Sequence, residues 1–512
     1  MAFYENSATG NICDAAGLRD AEREQLRRLM TVWMAKQGRN RLRRDFYNMH
    51  VMPTNLGISL SDDMVRKLNV ACGWPAKSVD LLADRSILDA FVFEDGQENE
   101  ELSRLMDDNN IYAKYDMATR SELTHSVVFW TLSRGRVGRS KVRIKLHSAE
   151  SAAAIWDGYE ERIECGMAII DTTTDKFGTG RIPSVVNLYC ADHTVVLRRS
   201  ITPTGDDWSA EYVHNPLGRP AMEQMAFMPS IHRPFGRSRI SRAVMSLTMS
   251  KLRSDMRGEI AAEIISTPQK YLLGADDEAF DMDRYLAYIG NIFLTSKDED
   301  GDVPTFGQLA QGSMQPQVDY TRMLAAQFAG ETSIPISSLG VIHDQPASAE
   351  AMRAAERDLV QLAEKMNRTN GEALRNVALM AMALGKGAGA SLDKLDDNEW
   401  TVQADFADPS KPDVVSTADA WTKMASAAPY IGETEEFLEA NGVSKTKRMR
   451  MLAQRRRIKG QSFMEASDGN VGTGGADGLL GLSGTAGGSL ARVRVAGVEE
   501  TPVGSQDGGI VS

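Results

Sequence analysis

The sequence has few of the groups that carry out reactions. Its 512 residues include four cysteines, Cys13, Cys72, Cys165 and Cys190. They are too far apart for a C-x-x-C pair, and no histidine stands at zinc spacing from them. They read as buried, reduced thiols, which fits a reducing cytoplasm. The seven histidines, at 50, 125, 147, 193, 214, 232 and 343, include no pair at helical i, i+4 spacing. No G-x-x-x-x-G-K-[S/T] phosphate loop is present. Gly385-Lys386-Gly387 comes nearest, but Met380 stands where the earlier glycine of the cradle is needed. H-E-x-x-H and G-x-S-x-G are missing, and no carboxylate pair stands out. The expectation is a protein that is not an enzyme, with no cofactor and no metal.

Other shortages narrow the class further. The first residues lack the basic start and apolar run of a signal peptide. No stretch approaches the roughly 20 apolar residues that span a bilayer, so no membrane role is expected. Positive charge is in deficit: 58 Lys and Arg against 70 Asp and Glu give a net charge of −12. A free-standing DNA binder normally shows phosphate a basic face. Any role on DNA therefore has to work through acidity.

What is present is an ordinary folding composition, 42% hydrophobic and 25% charged, over a length that suits about two to four domains. Leu26, Leu29, Met30, Trp33 and Met34 recur at helical spacing within 18–45, which ends in the basic run Arg39–Arg44. Residues 60–85 predict a second helix, interrupted at Gly73 and Pro75, and 98–125 a third. From 126 to 215 the period changes to two, clearest in Lys141–His147. This predicts an antiparallel sheet region with one short helix inserted at Ala149–Asp157.

A loop rich in Pro and Gly follows from Asn215 to Gly236. Then a long helix is expected from Ser238 to about Ile265, ended by Pro268. Short β segments fill 269–317, and nine Asp and Glu against two Lys and Arg crowd between Asp276 and Asp302. Further helices are expected at Asp319–Ala329 and Ala347–Leu384, a strand at Trp400–Asp405, and helix from there to 459. Lys445–Lys459 holds eight basic residues in fifteen. Thirteen glycines among the last 52 residues predict disorder from 461 on.

Four segments, in order, resemble the actinophage-type branch of the phage portal proteins, the SPP1 gp6-like family. The first is Phe46-Tyr47, Asn55–Ile58, Lys67–Asn69, Trp74 and Val79-Asp80 through Arg85, leading to Ala90–Phe93. The second is His214-Asn-Pro-Leu-Gly218. The third is Phe235-Gly-Arg-Ser-Arg-Ile-Ser241, with Ala261–Glu263 and Thr267–Tyr271. The fourth is Leu339 through Ala351, with Arg353 and Glu356. Ala221–Met225, basic 445–459 and the glycine-rich tail depart from the family's pattern.

The resemblance implies an α+β portal fold with a mixed α/β wing, a two-helix stem, a small α/β clip and a helical crown, followed by a disordered glycine-rich tail. Wing would be 1–237, first stem helix 238–266, clip 267–317, second stem helix 318–333 and tunnel-loop region 334–348. The wing's return helix and strand would be 349–408, crown 409–460 and tail 461–512. It also implies a function: a subunit of a twelve-membered ring at one capsid vertex that conducts double-stranded DNA, without sequence preference, in packaging and ejection.

The implied partners are copies of itself, the terminase large subunit, then a head–tail adaptor, with major capsid and scaffold proteins. The implied place is the virion's portal vertex, after assembly in host cytoplasm. The implied channel residues are Gly340, His343, Asp344, Gln345 and Ser348 of the tunnel loop. Arg239, Arg242, Lys251, Arg253 and Arg257 would lie on the stem. Asp298, Glu299, Asp300 and Asp302 of the clip would meet terminase or adaptor, and Lys447, Arg448, Arg455, Arg456 and Arg457 of the crown would meet DNA. The competing expectation is a metal-dependent nucleic-acid-processing enzyme of small oligomeric state.

Overall fold

The computed structural model describes residues 12–458, apart from 54–67, 69, 95–98, 136–139, 175–180, 203–204, 267–269, 274–304, 309–311, 342–348, 388–390, 411–413 and scattered positions between 435 and 449. Two compact units divide at Lys411 and Pro412.

In the first unit, helix α1 (Asp20–Tyr47) buries Leu26, Leu29 and Trp33 along one face. Met34 falls off that face and is 53% exposed, against the expected stripe. The face lies on a five-stranded antiparallel meander of β4 (Ala152–Asp157), β5 (Arg162–Thr174), β6 (Arg181–Tyr189), β7 (His193–Thr202) and β8 (Gly205–His214), in that order. Alternate residues Cys165 and Met167, Val186 and Leu188, and Val195 and Leu197 close the core beneath α1, the period of two expected of a half-buried sheet. All four cysteines are free and buried.

The helix expected at Ala149–Asp157 is instead strand β4, paired with β5 from Ala152↔Ala168 to Asp157↔Arg162. Alanine's helix preference loses here to tertiary packing. Trp33 Nε1 donates to Glu150 O at 3.0 Å and Asn40 Nδ2 to Ala149 O at 3.1 Å, so α1 pins the segment extended. Only small side chains fit: Ala152, Ala153 and Ala154 are all buried.

A second sheet orders β3 (Val142–Ser148), β2 (Val127–Arg134) and β9 (Met222–Ala226). Val127 to Leu132 of central β2 are all buried, the signature of a strand covered on both faces. Strand β9 lies inside the segment expected to be a loop. It explains Ala221–Met225, where Met222 and Met225 are fully buried. Met222 Sδ occupies space that a Cβ on Gly166 of β5 would invade at 2.3 Å, so the two sheets meet where glycine leaves room.

The helix expected over 98–125 is two, α3 (Glu100–Asp108) and α4 (Ile111–His125), divided where Asn110 is left-handed at φ 52°. Asn109 binds both ways to β3, donating to Val142 O at 2.9 Å and accepting from Ile144 N at 2.8 Å. Helix α2 (Trp74–Ala83) starts at the Gly73–Pro75 break. The rest of the helix expected over 60–85 falls largely outside the described residues. Strand β1 (Leu88–Val92) pairs with β12 (Gln403–Phe406), which starts later than the expected Trp400. Helix α7 (Ala349–Gly385) runs its buried stretch, Val377 to Leu384, across β2 and β9.

The second unit holds α9 (Val414–Ala427) and residues 450–458, which are helical; α8 is the single turn Asp397–Trp400 before β12. The glycine-rich tail lies outside the described residues.

Candidate functional site

Two long helices form an antiparallel pair. Ser241 Oγ accepts from Val244 N at 3.2 Å, and α5 therefore begins at Arg242 and runs to Ser266. At about 1.5 Å per residue its 25 residues reach about 37 Å. Val244, Thr248, Leu252 and Met256, four residues apart, are buried.

They face α6 (Gln315–Thr332), whose Leu324, Ala325 and Phe328 are buried in turn. Ser241 Oγ reaches Glu331 Oε1 at 3.0 Å at one end. Farther along, Gln317 Nε2 donates to Ser254 O and Oγ, both at 2.6 Å. Near the other end Ile265 lies 3.6 Å from where a Cβ on Gly312 would be. Beyond, β10 (Lys270–Leu273) pairs antiparallel with β11 (Thr305–Gln308).

The base of this pair is a polar joint. Arg239 is 7% exposed. Its Nε donates to Ser78 O and its Nη2 to Thr332 O, both at 2.5 Å, so one guanidinium ties α2 to the end of α6. Burial brings its pKa down to about 10. Asp80 accepts from Tyr47 Oη at 2.8 Å and Arg120 Nε at 3.3 Å. Arg85 pairs with Glu356 of α7 at 2.6 Å. Gly236, left-handed at φ 64°, passes so near Phe227 that a Cβ would stand 2.3 Å from its carbonyl oxygen.

Of the expected stem residues, Arg239 is thus spent inside the subunit. Lys251 pairs with Asp255 on its own helix, and Arg253 donates to Ser250 Oγ at 3.1 Å. Arg242 and Arg257 are exposed on α5, as are Glu259 and Glu263, without ion pairs among the described residues. Gly340 is described, exposed and left-handed at φ 80°. His343, Asp344, Gln345 and Ser348 lie outside the described residues, as do Asp298, Glu299, Asp300 and Asp302. In the second unit Lys447, Arg456 and Arg457 are exposed, Arg455 is half-buried and Arg448 is buried.

The joint is what sequence reasoning missed. Tyr47, Asp80, Arg85, Arg239 and Glu356 all lay within the resembling segments, but nothing in linear spacing showed that those segments meet. Among the described residues no group of three or more His, Cys, Asp or Glu is gathered as for a metal ion. No helix there is long and apolar enough to cross a membrane.

Residues 248–436, from α5 into the second unit, match the profile of a family described as phage portal protein, SPP1 Gp6-like. The portal protein of Mycobacterium phage L5 is 25% identical over 398 residues, covering 74% of this chain and 77% of its own length. Over about three quarters of its length the chain is similar to phage portal proteins. The portal protein of Mycobacterium phage D29 is 26% identical over 393 residues, with the same coverage. A chain from the neck of an empty gene transfer agent particle, solved with C6 symmetry, aligns at 12% identity and TM-score 0.40, covering 77% of this chain and 95% of its own. The basic helix at 450–458 lies beyond the family match.

Proposed function

We propose that this portal protein assembles head to tail into a closed ring of about twelve copies, through which double-stranded DNA passes during packaging and ejection. The antiparallel pair α5–α6, tipped by β10–β11 and lying inside the family match, carries the reading: it is the stem, and 267–317 is the clip.

The side chains left over on the stem support assembly. Val318, Tyr320 and Met323 are 41%, 41% and 46% exposed on α6 although apolar. Exposed apolar groups on a rigid helix fit a contact with another copy. Arg242 and Arg257 on α5, facing Glu259 and Glu263 of a neighbour, supply matching charge. A lumen that is acidic on average offers phosphate no deep well, so DNA slides. The tunnel loop, Gly340 to Ser348, would touch the duplex, and Lys447, Arg448 and Arg455 to Arg457 would meet packaged DNA.

The clip acids would dock the terminase large subunit, then the adaptor. Capsid and scaffold proteins would surround the ring at the vertex of a virion assembled in host cytoplasm. Replacing Asp298, Glu299, Asp300 and Asp302 by Ala is expected to abolish co-sedimentation of the terminase large subunit with the rings while leaving the rings intact. Undiminished co-sedimentation would contradict the docking role.

A further inference from the structure

A cavity of about 390 Å³ opens between α1, the end of α4, β4 and the loop after β9. Its charge is one-sided. Lys36, Arg39 and Arg43 project from α1, and Arg233 and Arg237 from the loop opposite. No Asp or Glu lines it. None of these five cations forms an ion pair among the described residues, and the nearby carboxylate of Glu150 is held by Arg44 at 2.8 Å. Gathering like charges costs free energy unless something of opposite sign joins them. Burial and the charge of Arg39 already bring the Arg43 guanidinium down to about 10.

A second observation is independent of the cations. His125, the last residue of α4, lines the same cavity and is only 6% exposed. Its Nδ1 is buried and meets no hydrogen-bond partner. Buried polar atoms in native proteins are nearly always satisfied, so an unsatisfied atom on a residue that lines the cavity marks strain in its wall. Burial, with Arg43 and Arg44, holds this imidazole down at about 4, so at neutral pH it adds no charge of its own to the five cations. Arg43 is aimed by its own bond, Nη1 to His125 O at 3.1 Å.

The chemistry selects the ligand. A single carboxylate would answer one of five cations, whereas a phosphate or diphosphate carries more charge and matches the guanidinium fork. Bare phosphate would leave the rest of the cavity unused. Ala152, Ala153 and Ala154 floor it, and the rings of Phe129 and Phe235 meet there edge to face at 6.1 Å. Its volume lies in the range of about 300–1,000 Å³ typical of small-molecule sites. We propose that this cavity binds a nucleoside phosphate, its phosphates among Lys36, Arg39, Arg43, Arg233 and Arg237, and its base on the Phe235 side. The assignment is independent of ring formation.

The ligand chemistry has two sources, a free nucleotide or the phosphorylated end of a DNA strand. Isothermal titration calorimetry on the full chain would use ATP, pyrophosphate and a short 5′-phosphorylated single strand. Saturable binding of ATP at one per chain, tighter than pyrophosphate, is expected. Arg39→Gln with Arg237→Gln, both exposed, should weaken it about tenfold or more. Arg456→Gln with Arg457→Gln, in the second unit, should leave it unchanged. Binding of the strand but not of ATP, lost in the first double variant alone, would support the site and assign its source to DNA ends. No saturable binding of either nucleotide form, equal loss in both double variants, or pyrophosphate binding as tightly as ATP would overturn the proposal.

Discussion

Glu122 shows how much one side chain can weigh in this fold. It is fully buried on α4, accepts from Asn370 Nδ2 at 3.0 Å through one oxygen, and has no partner for the other. Burial pushes its pKa from 4.5 up to about 8, so the folded protein holds a proton that the unfolded chain releases. That stabilisation is complete below pH 4.5 and is lost as pH rises through about 8. His125 and His147 act oppositely: burial lowers both from 6.5 to about 4, and their contribution is present above 6.5 and lost as pH falls toward 4. Stability should therefore fall from pH 6.5 to 8, by at most about 1.4 kcal/mol per pH unit from this one carboxyl. Burial raises Glu223 as well, despite Arg219 beside it. Urea unfolding of Glu122→Gln should show a clearly flatter decline over that range; profiles parallel to the parent's would refute the assignment. Arg239→Met should cost about 3 kcal/mol at pH 7, because it removes two buried hydrogen bonds donated by a charged group. An unchanged urea midpoint would mean that the joint does not depend on this guanidinium.

At the scale of elements, α5 and α6 carry the account. Tyr320→Asp with Met323→Asp alters only exposed positions, so circular dichroism and thermal unfolding should stay close to the parent. Assembly, read by mass photometry, should be lost. Retained assembly would place the subunit contact elsewhere. The two helices were legible in the sequence as elements: helix was expected from Ser238 to about Ile265 and over Asp319–Ala329, within the observed Arg242–Ser266 and Gln315–Thr332 but for four residues at the start of α5. The start of α5 was expected at Ser238, four residues before Arg242. In the structure Ser238 Oγ bonds instead to Thr124 O at 2.6 Å. Strand β4 was misread because alanine is a good helix former and its pinning by Trp33 and Asn40 is invisible in linear sequence. Strand β9 was hidden by the prolines and glycines around it. The polar joint was not legible for a related reason: Ser78, Arg239 and Thr332 are brought together only by the fold.

For the whole molecule, charge sets the terms: at a net charge of −12, any passage of DNA has to work through acidity rather than through a basic face. Its basic groups are not scattered evenly: one set surrounds the cavity beside His125 and another lies on the helix at 450–458, leaving acidity to predominate elsewhere. Closed assembly is the central claim, because a channel exists only if subunits close around it. The most direct test is to purify the full chain alone and examine it by negative-stain electron microscopy and mass photometry together. The account predicts rings with a central hole and a mass of about twelve times 56.1 kDa. Only monomers and dimers, across concentrations that favour assembly, would contradict it.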